Sequence, residues 1–118
     1  QAGAWDRDEI RCFSDQAGRQ SHVANKGRET QMRALDSVLN GRPCTYLKMD
    51  VEGAEREAIA GARQTIERDR PKLNIAAYHR SEDFFELPLL IHSLCADYAL
   101  YLRHHPYVPA WDTNLYAR

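Results

Sequence analysis

A chain of 118 residues is enough for one small domain and not two. Its 43% hydrophobic and 28% charged residues are ordinary for a soluble globular protein, and a net charge of -1 provides no basic field for a phosphate backbone, which argues against nucleic-acid binding. No apolar run approaches the roughly 20 residues needed to span a bilayer, and no signal peptide is visible at the start.

The stretch to Arg33 is polar and irregular. Within it, Ile10-Arg11-Cys12-Phe13 reads as a short strand, Asp15 to Ser21 as a loop, and Thr30 to Leu35 as a second strand by rough alternation. Leu35, Val38 and Leu39 follow at helical spacing until Gly41 and Pro43 stop them. Thr45 to Met49 then reads as a strand, and Glu52 to about Arg68 as one helix with Ala58, Ile59, Ala62 and Ile66 on its apolar face. Pro71 closes that helix. Leu73 to Tyr78 is a strand and Ser81-Glu82-Asp83 a turn. A helix to about Leu94 carries Leu87, Leu90, Ile91 and Leu94 as its stripe, with Pro88 tolerated in its first turn. Tyr98 to Arg103 and Asn114 to Ala117 are the last two strands, joined as a hairpin by a loop holding His104, His105, two prolines and Trp111.

The order from Cys44 is strand, helix, strand, helix, strand, strand. Alternation of strands and helices implies an α/β fold with parallel pairing through right-handed crossovers. The final two strands imply an antiparallel pair at the sheet edge. Residues 1–43 form an irregular or antiparallel lead-in, and residues 44–118 form the β-α-β-α-β-β unit. Cys12, Cys44 and Cys95 are odd in number, far apart and without a C-x-x-C pair. That argues against a disulfide scaffold or structural zinc and for a reducing, cytoplasmic setting, with each thiol a small buried hydrophobe.

Ligands of open α/β sheets bind at the carboxyl ends of the strands. That rule selects Asp50-Val51-Glu52-Gly53 and Tyr78-His79-Arg80, and Asp50, Glu52 and His79 converge if the two strands are neighbours. Gly53 permits a sharp turn and close approach of a ligand. Asp50 and Glu52 can accept hydrogen bonds, bind a metal or raise the pKa of a nearby histidine, and His79 is a natural general base. Structural roles compete with these: Asp50 serves equally as a helix cap, and Glu52 and Glu55 complement a helix dipole. A histidine at a strand end is commonly just a surface group. His92 falls on a solvated helix face. His104 and His105 point to opposite faces of a strand and do not form a joint metal site. Tyr107 and Trp111 are expected to pack a loop over the sheet end, where such a loop could also cover a substrate.

The string Tyr46-Leu47-Lys48-Met49-Asp50-Val51-Glu52-Gly53-Ala54-Glu55, with Gly61-Ala62, Pro71-Lys72-Leu73 and Tyr78-His79, resembles the FkbM family of S-adenosylmethionine-dependent methyltransferases. The likeness extends through Asp83, Glu86-Leu87-Pro88, Tyr101 to His104 and Trp111-Asp112-Thr113, and back to Gly3-Ala4-Trp5 and Leu35-Asp36. One departure is large: the glycines, at 3, 18, 27, 41, 53 and 61, make no G-x-G loop after an apolar strand. The resemblance therefore implies the C-terminal half of a Rossmann-like class I methyltransferase sheet, mostly parallel with an antiparallel C-terminal hairpin. About 100 residues of preceding βαβ units are expected to be missing, given normal domain sizes. The first residue, Gln1, agrees with a partial chain. Carried over by position, Asp50, Glu52 and Gly53 are implied on the cofactor side, and Asp50 and His79 as catalytic groups toward a small hydroxylated molecule or sugar. Asp50 with His79 holding a divalent metal is a further option. No membrane partner is expected, and a half-sheet with an unpaired edge leads to an expectation of self-association. Two other readings stand beside it: a non-catalytic remnant that binds a partner, and a metal-dependent hydrolase using Asp50, Glu52 and His79.

Overall fold

The computed structural model describes residues 2–13, 28–105 and 113–118. Its strands are β1 (Gly3–Ala4), β2 (Glu9–Phe13), β3 (Arg28–Arg33), β4 (Tyr46–Met49), β5 (Lys72–Ala76), β6 (Leu100–His104) and β7 (Thr113–Ala117). Its helices are α1 (Leu35–Leu39), α2 (Glu55–Ala60), α3 (Arg63–Asp69) and α4 (Asp83–Leu94). The expected loop at 15–21 and the packing of Tyr107 and Trp111 lie outside the described residues.

Two sheets form, in strand orders β1-β3-β2 and β4-β5-β7-β6. The second is mixed, not mostly parallel as expected. β4 and β5 pair in parallel, with Met49 opposite Ile75, but β7 runs antiparallel to both β5 and β6. The cause is the final hairpin: β7 returns without a crossover and inserts between β5 and β6, so the pair occupies the interior as well as the edge. Burial follows this placement, since Thr113, Leu115 and Ala117 of β7 are buried while Leu102, Arg103 and His104 of β6 are exposed. The small sheet holds a strand that periodicity does not reveal: β1, two residues long, runs parallel to β3.

The core lies on one face of the four-stranded sheet. Leu73 and Ile75 of β5 and Leu115 of β7 pack against Ile59 of α2, Ile66 of α3 and Leu87 and Ile91 of α4, and all seven are essentially excluded from solvent. Cys95 is buried in the same core, whereas Cys12 and Cys44 are half-buried. Pro88 lies inside α4 and not in its first turn.

The single helix expected over 52–68 is two. α2 ends at Gly61 and α3 begins after Ala62. A Cβ added at Gly61 would sit 1.9 Å from the Trp5 carbonyl oxygen and 3.2 Å from Ala34 Cα. The small sheet thus presses its backbone against the helix at this point, and Asp36 N–H donates to the Gly61 carbonyl at 2.9 Å. The Asp36 carboxylate also accepts the Gln64 and Thr65 amides, each at 2.9 Å, and so caps α3 from a distant segment.

Candidate functional site

The turn after β4 is built by an unusual backbone. Glu52 has φ +54° and Gly53 φ +90°, two successive left-handed residues, and Ala54 N–H closes the turn on the Val51 carbonyl at 3.2 Å. Glycine takes such a conformation freely, whereas glutamate does so at a cost of about 1–2 kcal/mol. The turn delays α2 to Glu55, three residues later than its sequence pattern predicts. Asp50 does not cap that helix: the cap residue is Ala54, which has no side-chain hydrogen bond to offer.

His79 follows β5 by three residues, and the parallel pairing of β4 with β5 brings it beside the turn. Its Nδ1 lies 2.9 Å from Glu55 Oε1. Its Nε2 lies 3.5 Å from both Asp50 Oδ1 and Glu52 Oε2. Asp50, Glu52 and His79 therefore meet, as their positions in the sequence predict. Asp50 and Glu52 side chains are 43% and 42% exposed, His79 is 12% and Glu55 only 1%. The site is an acidic mouth over a half-buried histidine backed by a buried carboxylate.

Two further residues complete the site: Glu55, whose role sequence alone misses, and Tyr78, which the strand-end rule selects without giving it a role. Glu55, which its spacing places against the helix dipole, accepts from the Val51 amide at 3.0 Å as well as facing His79. The signal was available: Glu55 lies on the same helical stripe as Ala58, Ile59 and Ala62, so its carboxylate had to be buried and therefore partnered. Tyr78 donates its hydroxyl to Asp50 Oδ1 at 3.2 Å, and its ring lies 4.3 Å from the His79 ring. Gly53 stands against Arg80, whose Nε would be 3.4 Å from an added Cβ. Asp83 accepts the Arg80 amide and starts α4 from a buried position.

The charges respond to this packing. Burial opposes a proton on His79, but Glu55, then Glu52 and Asp50, more than offset it and hold the imidazole above its usual 6.5. Burial pushes the Glu55 carboxyl up, and the His79 and Val51 hydrogen bonds outweigh it, leaving Glu55 below its usual 4.5. Burial raises the Asp83 carboxyl.

Elsewhere, a cleft of about 290 Å³ lies between the small sheet and α3, lined by Asp6, Asp8, Asp36, Arg63 and Gln64 among others. Two of its acids are engaged in holding the fold: Asp8 accepts the Ala34 amide and pairs with Arg33, and Asp36 caps α3. His92 is exposed on α4, as its spacing predicts. His104 and His105 do not form a metal pair; His104 Nδ1 meets Thr113 Oγ1 at 3.0 Å, and His105 Nε2 meets the Tyr116 hydroxyl at 3.3 Å.

The family model of the methyltransferase FkbM domain matches residues 9–109, most of the chain and all of this site. The chain belongs to the FkbM methyltransferase family. The FkbM fold is seen directly in the crystal structure of methyltransferase FkbM from Methylobacillus flagellatus KT, to which this chain is similar with a TM-score of 0.78 and 35% identity. That match covers 99% of this chain and 27% of the other, so the present FkbM chain spans about a quarter of the length of its solved relative. No curated protein matches the chain. Among the described residues no helix is long and apolar enough to cross a membrane.

Proposed function

We propose that the protein takes part in S-adenosylmethionine-dependent methyl transfer to a hydroxyl group of a small molecule or sugar, with Asp50, Glu52, Gly53 and His79 at the reacting end of the cleft. Family membership supports the reaction class. One observation carries the site: His79 Nε2 lies 3.5 Å from each of the Asp50 and Glu52 carboxylates, beyond the carboxyl ends of two adjacent parallel strands.

The donor set suits the charged end of the cofactor. Asp50 and Glu52 are accessible carboxylates able to attract an ammonium or sulfonium group, and Gly53 leaves the turn's backbone without a side chain. A glycine-rich cradle for the ribose and adenine is not found among the described residues: nothing approaches Gly41, and Gly61 is sealed against Trp5. When bound, S-adenosylmethionine supplies an electrophilic methyl group. The chain's own residues hold the acceptor hydroxyl and receive its proton. Asp50 and His79 are the two groups able to take it. Tyr78 steadies Asp50, and Glu55 fixes the imidazole so that Nε2 is the basic nitrogen facing the cleft.

In the full-length protein, Asp50→Ala and His79→Ala are each expected to lower kcat by about 10²–10⁴-fold, the usual scale for a lost proton acceptor. Calorimetry should find the affinity for S-adenosylmethionine changed far less than the turnover. Normal turnover in both variants removes the site assignment. A folded full-length protein that gives no heat with S-adenosylmethionine points instead to a non-catalytic interaction module.

A further inference from the structure

The orientation of His79 has a consequence that a proton acceptor alone does not require. Glu55 is 1% exposed and takes the Val51 amide on the same Oε1 that faces His79 Nδ1, while its Oε2 is buried with no partner. An ionised carboxylate only accepts, so Nδ1 carries the proton and Nε2 of the neutral ring carries the lone pair. That lone pair looks out between two carboxylate oxygens. At 3.5 Å, both lie beyond the roughly 2.7–3.2 Å of an ordinary N–H···O bond. They match instead the separation of about 3.4 Å between two donor atoms that each lie about 2.1 Å from one tetrahedral ion. All three donor atoms fall within 4.8 Å of one another. Two carboxylates and an imidazole nitrogen turned toward a common point are held together either by a proton on Nε2 or by a cation bound in its place.

A buried carboxylate on the far nitrogen is also what fixes the tautomer and ring direction of a metal-binding histidine and raises its basicity. Tyr78, donating to Asp50 Oδ1, restrains a second donor in the same way.

We propose that Asp50, Glu52 and His79 bind one divalent transition-metal cation, with Glu55 and Tyr78 as the positioning residues that hold His79 and Asp50. One imidazole and two carboxylates favour zinc or manganese over calcium or magnesium. Three protein donors leave a coordination position open to an oxygen of the acceptor. The catalytic role of such an ion rests on the methyl-transfer reading; its binding does not. With Nε2 engaged, His79 no longer takes the hydroxyl proton, which leaves that task to Asp50.

The test is a titration of chelator-stripped full-length protein with zinc and manganese chlorides by calorimetry, and with cobalt(II) by visible absorption. One equivalent should bind. Asp50→Asn and His79→Ala should each weaken binding at least about tenfold, and Glu55→Gln by about 10–100-fold, the scale of lost outer partners. The cobalt d–d bands should vanish in His79→Ala, while His92→Ala leaves affinity and spectrum unchanged. Melting curves identify any variant that fails to fold. If Glu55→Gln is such a case, Tyr78→Phe serves in its place and should weaken binding without unfolding the chain. Absence of one-to-one binding in the folded wild type overturns the proposal, as does binding indifferent to both Asp50→Asn and His79→Ala. Absent metal binding with intact methyl transfer overturns the cation site alone. Metal binding without any methyl transfer upholds the site, removes the methyl-transfer reading and directs attention to hydrolysis.

Discussion

Glu55 is buried against the half-buried His79, and each shifts the other's titration. His79 is held above 6.5, so the stabilisation it contributes is present below that pH and is lost as pH rises through its folded-state value. Glu55 is held below 4.5, so its contribution is present above that pH and is lost as pH falls through its lowered value. The pair therefore stabilises the metal-free protein most across the interval between those limits. Glu55→Gln removes the largest influence that raises His79, while the burial that lowers it stays. The His79 ring resonances in a nuclear magnetic resonance titration should then move their midpoint down from the wild-type value. A midpoint unchanged in Glu55→Gln would show that the hydrogen bond at 2.9 Å does not govern the imidazole. This pair also marks the limit of what the chain reveals on its own. Asp50, Glu52 and His79 were legible because strand ends are where α/β sheets hold ligands. The part played by Glu55 depends on how deep its end of α2 is buried, which the stripe through Ala58 and Ile59 hinted at but a dipole argument concealed.

At the scale of elements, local pattern and remote contact divide the structure between them. The strands β4, β5, β6 and β7 and the helix α4 lie within a few residues of where alternation and apolar spacing predict them. The division of the following helix into α2 and α3 is of another kind. Nothing in residues 52–68 except one glycine signals it, because its cause is the Trp5 carbonyl arriving from more than fifty residues away. Gly61 has φ -73°, which any residue adopts, so the requirement for glycine there is one of space and not of backbone conformation. Gly61→Ala should therefore destabilise the chain by about 1–3 kcal/mol, the cost of forcing a methyl group into packed backbone, as read by urea denaturation. An unaltered midpoint would mean that the small sheet is free to shift away from the helix. β1 escaped for a simpler reason: two residues carry no period.

Across the molecule, the mixed sheet follows from a choice that the order of elements leaves open. A hairpin of two strands can extend a sheet at its edge or lodge its second strand inside, and alternation is the same in both; here the full burial of Leu115 and Ala117 accompanies the inner position. The parallel pair β4–β5 was legible, and it is this pair that brings the site together. The left-handed Glu52 at the end of β4 bears on the entire fold, because backbone strain in a cooperative domain subtracts from global stability. Glu52→Gly should relieve about 1 kcal/mol of that strain and raise the melting temperature, while removing a carboxylate from the mouth of the site and weakening cation binding. A variant that melts later and binds less would identify this corner as a trade-off between stability and binding, where selecting for robustness alone would erase the cation site.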